Sequence, residues 1–417
     1  SNRGEDRKVY LALHDPTWRT GWPKFEDVGG ETSPVLYDLN GDGTLEFVDA
    51  NSAGELCAFQ HDGRKLPSFN GGKCWQLPPA FWYHPDAPGF KSGAVPPPSS
   101  GFRTPAIADL DGDFEPEIVA ASADGRLYVI RNDGTVRLTL GVDLAHSTPD
   151  KRNKVDHPKR GFLGSPVLAD LDGDGSKEII AAALDGFIYV WNGSTGVARA
   201  GFPKEVREAV APARLGARGE LIQTPTIADL DGDGKLEIIT GSADVIPAEA
   251  APPSAPPNVM GGSGAIIDYV LANTAGGDTR IYAIKADGSF FPNWPVALTG
   301  LVPDVLPFVG PQHGLAAADL DGDDIDEVVG SMTTGSVQIF KADGSSTALT
   351  SNGVVVSGAS PEASRIFNLF ENNIVGDLNG VGQLDVAHLG ITATGVANLL
   401  LTGQNFPFNY AMQVWDS

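Results

Sequence analysis

Short apolar runs rich in β-branched residues recur along the chain, separated by acidic or glycine-bearing turns. SPVLYD, TPAIAD, SPVLAD, TPTIAD and GLAAAD form one set, and EFVDA, EIVAAS, EIIAAA, EIITGS and EVVGSM follow them one turn later. A third set comes next, as in DGRLYVIRNDG, DGFIYVWNGSTG and DTRIYAIKADG. A fourth run follows a Gly- or Asn-aromatic-Pro step, seen as GWP at Gly21, GFP at Gly201 and NWP at Asn293. Runs of this length between turn residues predict strands, and no segment shows convincing helical periodicity. Four short strands per repeat predict an all-β fold, a β-propeller of four-stranded blades.

The turn between the first and second runs recurs six times: DLNGDGTLEFV from Asp38, DLDGDFEPEIV from Asp109, DLDGDGSKEII from Asp170, DLDGDGKLEII from Asp229, DLDGDDIDEVV from Asp319 and DLNGVGQLDVA from Asp377. Successive copies lie 71, 61, 59, 90 and 58 residues apart, a period near 60 with two insertions, at 70–100 and 243–278. The chain is therefore expected to be a single propeller domain over 1–417. Six blades are favoured and seven remain open. The N-terminal KVYLALHDPTWRTGWPKF matches the outer half of a blade, so the ring is expected to close by an N-terminal strand pairing with the last blade, which removes exposed edges. After the last turn, VANLLLTG and NYAMQVW could complete a blade on their own.

Positions 1, 3, 5 and 9 of the first five turns bear side-chain oxygens, mostly carboxylates. Calcium takes six to eight oxygens at about 2.3–2.6 Å, and alternate carboxylates on a tight turn can converge on one such ion, with the position-7 carbonyl as a further ligand. The expected sets are Asp38, Asn40, Asp42, Thr44 and Glu46; Asp109, Asp111, Asp113, Glu115 and Glu117; and Asp170, Asp172, Asp174, Ser176 and Glu178. Next come Asp229, Asp231, Asp233, Lys235 and Glu237; Asp319, Asp321, Asp323, Ile325 and Glu327; and a depleted sixth set of Asp377, Asn379 and Asp385, with Val381 at position 5. About five calcium ions are expected, the sixth site being degenerate. An EF-hand would need a bidentate Glu at position 12 and flanking helices. Position 12 here is Asp49, Ala120, Ala181, Thr240, Gly330 or His388, and the flanks are β-branched.

The D-x-D-x-D-G-x-x-E loop between two strands, at blade spacing, resembles the FG-GAP/VCBS repeat of integrin α-subunits and many bacterial surface proteins. That resemblance covers roughly residues 30–400 and implies a propeller with calcium in its strand-to-strand loops. Phe114 and Asp324 depart from it, standing where glycine is usual.

The six loops hold three, four, four, four, four and two acidic ligands, 21 of the 53 acidic residues, so five bound calcium ions would take the net charge from −24 to −14. The acidity argues against a nucleic-acid partner, which requires clustered Lys and Arg. No apolar run is long enough to span a membrane, so no membrane insertion is expected. Cys57 and Cys74 are the two cysteines, too few for a disulfide framework, and they read equally as one bridge or as two buried thiols. Weak calcium sites would be empty in the cytosol, which points to an extracellular, cell-surface or periplasmic location.

The expected function is extracellular recognition or adhesion toward a glycan or protein ligand, and not catalysis. HExxH, GxxxxGK[ST] and GxSxG are all absent. His14, His61, His84, His146, His157, His313 and His388 are dispersed. One alternative is a polysaccharide lyase, since some pectin-type lyases resemble this chain in their propellers; its candidates are His146, His157, Lys159 and Arg160. Another is a structural module of a larger surface or secreted protein. Trp75, Phe81, Trp82, Tyr83 and Phe90 in the first insertion are candidate sugar-stacking rings, with a covering role for the propeller weighed against that. The basic stretch KRNKVDHPKRGF from Lys151 reads as a contact for an acidic polymer or as a solvated loop. The second insertion, PAEAAPPSAPPN and its Gly-rich continuation, reads as a spacer.

Overall fold

The runs EIVAA and EIIAA are apolar at every position after the first because each becomes a strand covered on both faces. The computed structural model describes residues 32–78, 101–143, 145–146, 161–206, 223–244, 278–297, 314–331, 337–349, 366–367, 373–392 and 410–416. Within them the chain is all-β, arranged as six four-stranded antiparallel sheets. The first contains β1 (Val35–Tyr37), β2 (Glu46–Ala50), β3 (Glu55–Phe59) and β4 (Trp75–Gln76); the second β5 (Ala106–Ala108), β6 (Glu117–Ala121), β7 (Arg126–Arg131) and β8 (Val136–Gly141). The third is β9 (Val167–Ala169), β10 (Glu178–Ala182), β11 (Phe187–Asn192) and β12 (Lys204–Glu205); the fourth β13 (Thr226–Ala228), β14 (Glu237–Asp244), β15 (Asp278–Ile284) and β16 (Val296–Ala297). The fifth is β17 (Ala316–Ala318), β18 (Glu327–Ser331), β19 (Val337–Phe340) and β20 (Ser346–Leu349); the sixth β21 (Ile366–Phe367), β22 (Ile374–Gly376), β23 (Asp385–Thr392) and β24 (Tyr410–Asp416). The first five are simple meanders in sequence order. In the sixth, β22 pairs with the start of β23 and β21 with its end, while β24 runs alongside β23 from Asp416 opposite Asp385 to Tyr410 opposite Ile391.

Successive side chains on a strand point to opposite faces, and the sheets use this to share their cores. Ile118, Ala120, Tyr128 and Ile130 pack against Val48, Leu56 and Phe69 of the first sheet. The residues between them, Val119, Ala121, Leu127 and Val129, pack against Ile179, Ala181 and Tyr189 of the third. Ile180, Ile188 and Val190 then meet Ile238, Tyr282 and Ile284. Ile239, Ile281 and Ala283 meet Val328 and Phe340, and Val329 and Val337 meet Val386. Each consecutive pair of sheets is thus joined by one buried apolar cluster, which is the packing of propeller blades.

A second contact repeats between the outer edges of blades. Asn70, Gly201 and Asn293 all have left-handed backbones, at φ 47°, 88° and 65°. Against each sits an Asp-Gly turn of the next blade. Asn70 N–H donates to Asp133 O at 2.8 Å, a Cβ on Gly288 would stand 2.5 Å from Gly201 O, and one on Gly344 would stand 2.9 Å from Asn293 O. Trp294 Nε1 also donates to Ala342 O of the following blade at 3.2 Å. At Gly201 and Asn293 the aromatic-Pro step therefore forms a clasp between blades, and its X-Pro bonds there, Phe202-Pro203 and Trp294-Pro295, are cis.

The two insertions sit at different places. Residues 70–78, the opening of the first, belong to the outer edge of blade one: Trp75 pairs with Leu56 across β3 and β4, and Leu77 is fully buried. The remainder of that stretch lies outside the described residues. The second insertion springs from the tip of the long β14–β15 hairpin, paired as far as Asp244 opposite Asp278. The N-terminal run, VANLLLTG, the rest of the second insertion and the basic stretch at 151–160 also lie outside the described residues.

Gly288→Ala is expected to destabilise the protein by roughly 2–3 kcal/mol, combining left-handed strain with a backbone collision. Gly173→Ala, at φ 74° in open space, is expected to cost about 1 kcal/mol from strain alone. Urea denaturation in the presence of a chelator compares them, and equal costs would refute the clasp.

Candidate metal centre

Each acidic turn is built by its own side chains on backbone N–H groups. In the third, Asp170 at position 1 accepts from Gly173 N and Asp174 N through Oδ1, at 2.8 and 3.1 Å, and from Gly175 N through Oδ2 at 2.8 Å. Asp319 and Asp377 accept the same three N–H groups in their loops. At position 5, Asp42, Asp113, Asp174 and Asp233 each accept the position-7 N–H through Oδ1 at 2.8 Å, and Asp323 does so at 3.0 Å. Phe114 and Asp324 adopt φ 68° and 66°, the same left-handed conformation as Gly175 at 89°. Their N–H groups still donate to Asp109 and Asp319, both at 3.0 Å or less. The departures from glycine leave the turn intact and introduce backbone strain instead.

Position 9 opens the strand that follows the acidic turn in each sheet. Glu46, Glu117, Glu178, Glu237, Glu327 and Asp385 are all at most 3% exposed. In all six, one carboxylate oxygen accepts the position-2 leucine N–H at 2.9–3.0 Å. Burial raises the pKa of Glu46, Glu117, Glu178 and Glu327, and pushes Glu237 up to about 7. Asp170, Asp319 and Asp377 move the other way, lowered chiefly by the backbone N–H groups they accept.

Positions 1, 3 and 9 converge. Carboxylate oxygens of Asp109, Asp111 and Glu117 lie within 4.8 Å of one another, and so do those of Asp170, Asp172 and Glu178, of Asp229, Asp231 and Glu237, and of Asp319, Asp321 and Glu327. The first and sixth loops place Asn40 and Asn379 at position 3, so their carboxylate groups are one short. Asp172 Oδ1 and Asp385 Oδ1 are buried without a hydrogen-bond partner. Clustered hard oxygens, some unpartnered, fit a divalent cation of the calcium type; positions 1, 3 and 9 would hold it, and it would supply counter-charge to the buried carboxylate.

The structure adds a basic group that no local spacing reveals. Arg137 lies 3.3 Å from Asp111 and 3.4 Å from Glu117. Arg199 lies 2.5 Å from Asp172 and 2.9 Å from Glu178. Lys285 lies 3.1 Å from Asp231, and Lys341 lies 2.5 Å from Asp321 and 3.7 Å from Glu327. Each comes from the outer half of the same blade. The only sequence hint is the K-A-D-G turn shared by Lys285 and Lys341.

Among the lyase candidates, His146 stacks on Phe187 at 4.2 Å and lies 4.0 Å from Asp143, while His157, Lys159 and Arg160 fall outside the described residues. Trp75 packs between blades, 5.9 Å from Phe102 and 5.1 Å from Tyr128, so this ring serves the core; Phe81, Trp82, Tyr83 and Phe90 lie outside the described residues. Cys57 and Cys74 form a disulfide, which settles the alternative left by the cysteine count. His388 is buried with Nδ1 3.0 Å from Asn373 Oδ1.

The fold and loops define a β-propeller with acidic strand-to-strand turns. Residues 109–181 and 170–240 match the FG-GAP-like repeat, so the chain carries FG-GAP-like repeats. No curated protein matches the sequence. Among solved structures, the chain is similar to the exotype rhamnogalacturonan lyase YesX, at 16% identity and TM-score 0.43, over 90% of this chain and 56% of that one. It is similar to the V. cholerae biofilm matrix protein Bap1 at 13% identity and TM-score 0.37, over 92% and 76% of the two chains. Quinohemoprotein alcohol dehydrogenase from Comamonas testosteroni gives 13% identity and TM-score 0.45, over 88% and 52%. The chain thus spans little more than half the length of the lyase.

Phe114 is 93% exposed and its left-handed backbone gives strain without packing in return. Phe114→Gly is therefore expected to stabilise the protein by up to about 1 kcal/mol, measured by chemical denaturation. A loss of stability would show that the ring makes an unseen contact.

Proposed function

We propose that the chain is a calcium-stabilised recognition module of the extracellular or periplasmic space, a single propeller domain over 1–417 that binds a glycan or a protein ligand. The observation that supports it best is the convergence of three carboxylates in each of four successive acidic loops. Calcium is the proposed ion, with about five sites, the first loop using Asn40 in place of an aspartate and the sixth binding weakly. Positions 5 and 7 complete the proposed ligand sets. The Cys57–Cys74 bridge supports an oxidising compartment. Among the described residues no helix is long and apolar enough to cross a membrane.

Six blades are proposed. In the sixth sheet β24 takes the place beside β23 that the third strand holds in the other blades. Among the described residues no strand pairs with its outer edge, where the N-terminal KVYLALH run would close the ring.

Calcium in this role stabilises by mass action. At about 1 mM calcium and a Kd of about 10⁻⁴ M, each site adds about 1.4 kcal/mol, and five add about 7. A chelator is therefore expected to lower the melting temperature by roughly 10 °C. In calcium, Asp172→Ala is expected to cost more stability than Asn379→Ala. An unchanged melt, with no calcium in the purified protein, would overturn the reading.

Recognition itself is tested by calcium-dependent binding to a panel of glycans and matrix proteins, with soluble polysaccharides assayed for unsaturated products. Specific binding without product is expected. Product formation would make the chain a lyase.

A further inference from the structure

The four basic side chains in the acidic loops fall into two kinds. Arg137 and Arg199 are held from behind by the next blade: Arg137 donates to Ser194 O at 2.6 Å and to Gly193 O at 2.5 Å, and Arg199 donates through Nε to Ala286 O at 2.8 Å. Their side chains are 8% and 21% exposed. Among the described residues, Lys285 and Lys341 have no such anchor. The ammonium of Lys285 meets Asp231 and rests 4.8 Å over the Phe291 ring; that of Lys341 meets Asp321 and Glu327. These side chains are 33% and 50% exposed.

The position-9 carboxylate spends one oxygen on the leucine N–H, which leaves the other for the loop. In the fifth loop that free oxygen, Glu327 Oε1, is the one facing Lys341. A divalent cation using positions 3 and 9 needs the same oxygens. A +2 ion and an ammonium a few ångströms apart repel more strongly than two single charges, so they are alternative occupants. A lysine on a flexible four-carbon stem can withdraw into solvent. An arginine held by backbone carbonyls of the next blade, two for Arg137 and one for Arg199, cannot.

We propose that Lys285 and Lys341 are exchangeable internal counter-ions. In the cation-free protein they neutralise the fourth and fifth loops, and a divalent cation displaces them, whereas Arg137 and Arg199 stay in place when their loops load. This rests on the calcium reading above and adds a second consequence to it: loading the fourth and fifth loops releases two ammonium groups to the surface.

The test is acylation of lysines in the wild-type chain by an amine-reactive ester, read by mass spectrometry, in chelator and in millimolar calcium chloride, with exposed Lys65 as the internal reference. Labelling of Lys285 and Lys341 relative to Lys65 is expected to rise several-fold with calcium. Calorimetric titration of Lys285→Met/Lys341→Met should show two sites tightened by roughly three- to tenfold, the scale of removing one nearby, partly screened charge. The same change at the arginines is not expected to tighten a site, because it uncovers a buried glutamate and frees backbone carbonyls. Calcium binding with unchanged labelling and unchanged affinity would overturn this inference and leave the calcium reading standing. Absence of any calcium isotherm in the wild-type chain would overturn both. The labelling arm needs no variant, so a variant that fails to fold does not block the test.

Discussion

In each of the six sheets a carboxylate is buried at the start of the strand after the acidic turn and bonded to the backbone N–H of the leucine seven residues earlier. That bond draws the acidic turn closed and sets the register of the first two strands. It also places a negative charge where water cannot solvate it. Uncompensated buried charge is costly, and the raised pKa of Glu237 records that cost. The aspartates at positions 1 and 3 then converge on the same point. The loop therefore requires positive charge, and its architecture is organised around meeting that requirement.

Two sources of positive charge are available, and they differ in reach. A basic side chain neutralises the group from within the blade. Where that side chain is arginine it also ties the loop to the turn of the next blade, so loop chemistry and blade packing are joined through one guanidinium. The proposed divalent cation would act from the solvent side and bring more charge to the same oxygens. The first loop has no lysine or arginine partner among the described residues, and its Asn40 removes one carboxylate, which reduces the repulsion that such a partner would otherwise relieve.

The strands, their order and the acidic loops were legible in the sequence because each is written locally. Alternation, turn residues and the D-x-D-x-D spacing all operate within about a dozen residues. The Gly-Phe-Pro and Asn-Trp-Pro steps were visible as strand boundaries, but their role as clasps was not, since Gly201 meets Gly288 across blades. The basic partners were hidden for the same reason. Arg199, Lys285 and Lys341 stand 27, 54 and 20 residues from the aspartates they pair with, so no fixed spacing marks them. Trp75 was open to a sugar-stacking or a covering role, because both use an aromatic ring in a long connection; its pairing with Leu56 places it on the outer edge of the blade.

The alternating core has a consequence for how such a chain can vary in length. Odd and even residues of β6 serve different neighbours, so one added or lost residue within that strand would exchange the two faces and spoil two interfaces at once. Insertions are tolerable only where the chain has left the shared cores. The two long spacings obey this: one enlarges the connection after β4, and the other extends the tip of the β14–β15 hairpin. New surface can thus be gained by lengthening the rim while the ring keeps its spacing.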